Sequence, residues 1–261
     1  MNIPAKYSLP WKQNGDWLPL PWGIAISVFF GWSLWAAYGI LDQERKKAPS
    51  ATEGKDAGEN DRSMLDAILN ILIFLVTAAM VVFCFRKDGK WAPEQGKQAF
   101  RFFTVQSNTL CAAASLLMGL AALSGAVPDW IWTLKYIGTA AVTVTMLTVF
   151  FFLAPSVGKD WIQVLLKGID LFLHLLTPLM ALISFCVLEK RGMGFTQSLL
   201  GLLPVMLYGP VYLYKILFAP EEKRWKDFYG FNKSGKWPVS FAAMLTGTFL
   251  ICMGIRFLQN I

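Results

Sequence analysis

Seven runs of about 20 predominantly apolar residues, broken by short polar stretches, govern what this 261-residue chain can become. They cover roughly 22–41, 64–85, 100–123, 132–154, 166–188, 197–217 and 239–258. In lipid every backbone N–H and C=O must be satisfied within the segment, so runs of this length are read as transmembrane helices. The connections at 124–131 and 189–196 are short and force antiparallel neighbours, which predicts an all-α polytopic bundle. Hydrophobic residues make up 55% of the chain and charged residues 16%, far from a soluble domain of this size. The net charge of +7 would suggest nucleic acid in a soluble protein. Here the basic residues fall in the polar breaks, where they meet lipid headgroups, and no nucleic-acid partner is expected.

Residues 1–21, with Pro4, Pro10, Pro19, Pro21, Trp11 and Trp17, lack the basic start and cleavage site of a signal peptide and are expected to form an irregular interfacial segment. Residues 22–41 form a first span. The polar stretch 42–63 has no apolar period and is expected to be a mobile solvated loop. Residues 64–258 then form a six-helix membrane core. Lys and Arg count 15 on the N-terminal side of the membrane and 9 on the other, which favours a cytoplasmic N-terminus. Cys84, Cys111, Cys186 and Cys252 all lie in or at the spans without CxxC spacing and read as small packing residues. The segment from Glu221 to Trp237 mixes Lys223, Arg224, Lys226, Lys233 and Lys236 with five aromatic residues and reads as an interfacial segment on anionic lipid, with a substrate-gating lid as the alternative.

The single histidine, His174, stands inside the fifth run, one turn after Asp170 and four residues before Pro178. An ionisable group within a membrane span is by default a functional-site hypothesis with a partner to be found. A proline cannot donate to the carbonyl four residues back, so the helix is expected to open at His174. At the start of the third run, Thr104, Ser107 and Asn108 share one polar helix face. The third and fifth spans run in the same direction, and at 1.5 Å per residue Thr104 and His174 lie roughly 5 and 10 Å from the same membrane face. Side chains lean toward the helix N-terminus, which brings the imidazole back toward the threonine's level. Asp170 or Asn108 could orient the imidazole. With one histidine and no clustered carboxylates or cysteines, neither a metal site nor a cofactor is expected. Lys135 is expected to snorkel to the interface.

Three runs in order, Phe102 to Asn108, Leu173 to Pro178 and Leu207 to Tyr212, resemble the androgen-induced-protein-like membrane family, which includes the androgen-dependent TFPI-regulating proteins and a bacterial six-span branch. The resemblance covers roughly 64–258, and the span at 22–41 is additional to the usual six. It implies a bacterial plasma-membrane protein and an intramembrane threonine hydrolase of lipid esters, of the type that cleaves fatty acid esters of hydroxy fatty acids. Thr104 would be the nucleophile and His174 the base, supported by Asn108, Ser107, Asp170, Thr177, Tyr208 and Tyr212. Asn108, Ser107, Tyr208 and Tyr212 are the candidate oxyanion donors, and Phe172, Met180 and Met206 the candidate acyl-chain lining. The partners expected are the ester substrate and membrane lipids. The alternatives are an acyltransferase at the same site, or a transporter or lipid-binding protein built on Asn108, Asp170 and His174.

Overall fold

A computed structural model describes residues 53–157, 159, 161–162 and 166–261. Helix α1 spans Glu53–Phe83. A two-stranded hairpin follows, β1 (Arg86–Lys87) against β2 (Lys90–Trp91), and then the short helix α2 (Pro93–Ala99). The remaining elements are α3 (Phe103–Leu123), α4 (Asp129–Leu153), α5 (Ile169–Leu188), α6 (Phe195–Leu217) and α7 (Trp237–Asn260). Among the described residues six helices are long and apolar enough to cross a bilayer. The chain is therefore an all-α integral membrane protein. The spans expected from 64 onward are all present, with ends displaced by up to three residues, while the span at 22–41 and the interfacial segment at 1–21 lie outside the described residues.

The polar stretch differs from its expected form. The described residues from Glu53 onward to Phe83 are helical, so the last part of the expected loop at 42–63 is helical. Once the apolar turns after Arg62 pack, each preceding residue joins the helix at the cost of one further step of propagation rather than a new nucleus. Glu53, Lys55, Asp56 and Ala57 have no strong intrinsic preference against it.

Packing between helices relies on small residues, since lipid supplies no hydrophobic drive for helix association. A methyl group added at Gly138 of α4 would stand 3.0 Å from the Cys111 Cα of α3, and one at Gly119 of α3 would stand 2.9 Å from the Ile71 side chain of α1. Both glycines thus set how closely α3 approaches its neighbours. The largest apolar cluster joins Trp132 and Tyr136 of α4, Phe185 of α5, Met118 of α3 and Ile255 of α7. The bundle is not uniform: 61% of the apolar window is buried in α3 and in α4, against 17% in α7. Helix α7 is the peripheral helix of the described structure.

Helix α5 is interrupted by π-helical turns over Phe172–Leu176 and Ser184–Leu188. The first answers the proline. Pro178 has no N–H to offer His174, and the Thr177 N–H reaches back five residues to the Phe172 carbonyl. His174 thus lies in the widened turn, as the sequence predicts.

Candidate active site

Helix α3 begins without a local cap: Phe102 precedes it in an extended conformation and offers no side-chain acceptor. The first helical amide, Phe103 N–H, donates instead to the Tyr229 phenol oxygen at 3.0 Å. Tyr229 belongs to the segment between α6 and α7, which is folded back on α6. Asp227 fastens it: its Oδ1 accepts from Tyr212 Oη (2.8 Å) and Phe231 N–H (2.9 Å), and its Oδ2 accepts from Asn232 N–H (2.7 Å). Tyr229 N–H donates to Tyr212 Oη (3.2 Å), and Trp225 N–H to the Lys215 carbonyl (3.0 Å). The segment is a built part of the fold whose aromatic residues pack on Tyr212, Leu213 and Ile216.

Thr104, the residue after Phe103, is only 8% exposed. Burial pushes the Tyr229 phenol up to about 12, with the hydrogen bond from Phe103 N–H opposing it. Tyr229 therefore stays a neutral hydroxyl at any physiological pH. Thr104, Tyr208, Tyr212 and Tyr229 line a cavity of about 40 Å³ together with Thr145, Thr148 and apolar residues, among them Val144, Val205 and Met244. A water needs about 10–15 Å³ measured this way, so the cavity accepts a small reacting group and no chain. It shares Val144, Thr148, Leu153, Tyr229, Phe231 and Met244 with a groove of about 1070 Å³ between α4 and α7. That groove is long and apolar, with Lys233 and Lys236 at one end. Its volume is that of a lipid-sized ligand.

The polar face of α3 is divided between its neighbours. Ser107 Oγ meets Thr145 Oγ1 of α4 at 2.8 Å and donates to the Thr104 carbonyl at 3.1 Å. Asn108 Nδ2 donates to the Thr104 carbonyl (2.8 Å) and to the Leu173 carbonyl of α5 (2.9 Å), so one amide nitrogen ties the backbone at Thr104 to the residue preceding His174. His174 is 3% exposed, and Asp170, one turn before it, is also buried. Asn108 thus joins α3 to α5 at this level through backbone carbonyls. The cavity beside Thr104 is bounded by α4, α6 and tyrosines, and His174 is not in its lining.

Several expected roles shift. Thr177 faces α1, with its Oγ1 3.0 Å from Thr77 Oγ1, and stands apart from the cavity. Tyr208 Oη donates to the Arg101 carbonyl at 2.8 Å and Tyr212 Oη to Asp227, so both phenol hydrogens are engaged in holding the fold. Phe172 and Met180 are buried in core clusters and Met206 is exposed on the bundle exterior, so none of the three lines the described cavity or groove. Tyr229 is the site residue that the sequence concealed, since a tyrosine in a basic aromatic segment looks like an interfacial anchor. Its only signal was that the segment follows α6 on the same membrane face as Thr104.

Lys135 does not snorkel. It is 0% exposed, and its Nζ donates to Asn70 Oδ1 (2.7 Å) and Ser115 Oγ (2.9 Å) and lies 3.7 Å from Glu189 Oε1. Its reach toward water is replaced by partners from three other elements.

The chain is a polytopic helical membrane protein in which hydroxyls of α3, α6 and the following segment line a small cavity. No family model, curated protein or solved structure matches it.

Proposed function

We propose that the protein is an intramembrane hydrolase of lipid esters, of the fatty acid ester of hydroxy fatty acid type, with Thr104 as nucleophile and His174 as general base. The observation that carries this reading is the Thr104 side chain on the wall of a small cavity that adjoins a lipid-sized apolar groove. The ester's acyl chain lies in the groove and its carbonyl enters the cavity. The threonine hydroxyl is a poor nucleophile until its proton is removed, and the base must come within hydrogen-bond reach in the productive state. The Asn108 tie between Thr104 and Leu173 supports that approach by holding the two helices at one level. His174 takes the hydroxyl proton, Thr104 Oγ1 attacks the carbonyl, and the alcohol leaves with the proton from the imidazolium. Water then releases the acid from the acyl-threonine. Tyr229, kept neutral by burial and held by Phe103 N–H, serves as oxyanion donor in place of Tyr208 and Tyr212. Activity falls on the acid side as the imidazole takes a proton.

The test is product analysis with an isotope-labelled ester of a hydroxy fatty acid on the purified protein in lipid nanodiscs. We expect free fatty acid and hydroxy fatty acid in equal amounts, with turnover lost in Thr104→Ala and His174→Ala. Label appearing in a new lipid ester would make the protein an acyltransferase, and binding of the ester without turnover would make it a lipid-binding protein.

A further inference from the structure

The second polar region of the bundle lies near the opposite membrane face, where α1, α3, α4 and α5 cross. Asp66 and Asn70 come from α1, Ser115 from α3, Lys135 from α4, and Ser184 and Glu189 from α5 and its end; all are buried. Asn70 Nδ2 donates to Asp66 Oδ1 (2.7 Å) and to Glu189 Oε1 (2.9 Å), and is 3.0 Å from the Asp66 carbonyl. Glu189 Oε1 also accepts from the Ser184 hydroxyl and faces Lys135. By contrast, Glu189 Oε2 is buried with no donor among the described residues.

The charges of this cluster do not balance. Among the described residues, Asp66 and Glu189 share the single cation Lys135, and an uncompensated charge in a low-dielectric interior is strongly disfavoured. One Asn70 amide nitrogen bonds an oxygen of each carboxyl, which holds the two acidic side chains beside one another, where like charges repel. One proton on the pair neutralises the cluster.

We propose that the Asp66–Glu189 pair is a proton-binding site, holding one proton between α1 and the end of α5 with Lys135 as fixed counter-charge. The remaining titratable and charged groups that face the cluster are Cys111 on α3 and Cys186 and Lys190 on and after α5. The cysteines are buried thiols that leave the charge count unchanged, and Lys190 lies on the exposed side of Glu189. The proton is taken from water at the face where α1 and α4 begin, since Arg62 and Asp129 mark that end of their spans. Release leaves the pair with mutual repulsion across the α1–α5 contact, and α5 is the helix that bears His174. The site is independent of ester hydrolysis and stands if that reading fails.

Infrared difference spectroscopy of the full chain in lipid, wild type against Asp66→Asn and against Glu189→Gln, reads the proton directly. The expected result is loss of a neutral carboxylic-acid carbonyl band in one or both variants at neutral pH, with the wild-type band disappearing reversibly in alkali. Beyond the release point the protonated fraction falls about tenfold per pH unit. Wild-type protein carrying isotope-labelled aspartate or glutamate shifts the same band, which keeps the test decisive should a variant fail to fold. Loss of ionised-carboxylate bands alone in both variants, or a wild-type spectrum without an alkali-sensitive acid band, would overturn the proposal.

Discussion

The two ends of this bundle bury polar groups in opposite ways. Around Lys135 the side chains of α1, α3, α4 and α5 close on one another, with donors at 2.7–3.0 Å and no described cavity among them. Around Thr104, about 16 Å away along α3 by residue count, hydroxyls from α3, α6 and the following segment line open space. A packed polar network has nowhere to admit a reactant and contributes cohesion or charge storage, whereas hydroxyls facing a cavity can meet one. An ionisable residue in a membrane span is therefore no sufficient mark of a reaction site. The space beside it separates the two cases.

Substitutions at the two ends should separate stability from turnover. The largest effect on folding is expected from Lys135→Met, which leaves buried carboxyl groups without their cation. Breaking a buried pair by removing one partner costs about 3–5 kcal/mol, so the thermal midpoint in detergent should fall steeply. A midpoint near wild type would mean that the network does not hold the helices.

Tyr229→Phe sharpens the other end. It removes one hydroxyl from the cavity, and loss of an oxyanion donor lowers turnover by about 10²–10³. Ester binding and the thermal midpoint should change little beyond the hydrogen bond from Phe103. Unchanged turnover would strike Tyr229 from the mechanism.

Asn108→Ala tests the tie between them, because its amide meets both the Thr104 and Leu173 carbonyls. A stability loss of about 1–3 kcal/mol is expected from the carbonyls left with fewer partners, together with a fall in turnover as the two helices lose register. A stability loss with full turnover would show that Asn108 is only an adhesive. The smallest effect is expected at Thr177→Val, whose hydroxyl meets Thr77 away from the cavity. Interhelical hydrogen bonds in membranes average about 0.6 kcal/mol, and turnover should stay at the wild-type level.

Much of this comparison could be read from the amino-acid order, and part of it could not. The apolar runs located six spans to within a few residues because the bilayer imposes their length. Pro178 announced the widened turn at His174, since a missing N–H is a local property. The level at which α3 and α5 meet followed from counting residues from the same face, and Asn108 makes that contact. Lys135 was opaque because its partners, Asn70, Ser115 and Glu189, come from three other elements, and nothing within α4 distinguishes a buried lysine from one that reaches the interface. Tyr229 was hidden for the same reason: its partner Phe103 lies 126 positions away. Helical periods reveal which face is polar, whereas the identity of what that face meets depends on how the helices assemble. The start of α1 shows the converse limit, as its acidic, glycine-containing turns have no apolar period and take helical form from the packed span that follows.

Treatment with a fluorophosphonate probe, followed by mass-spectrometric mapping of the modified peptide, tests the account at its centre. We expect a single adduct on Thr104, absent from Thr104→Ala and from His174→Ala while both variants remain folded in lipid. An adduct on another residue, or equal modification of wild type and the His174 variant, would contradict it.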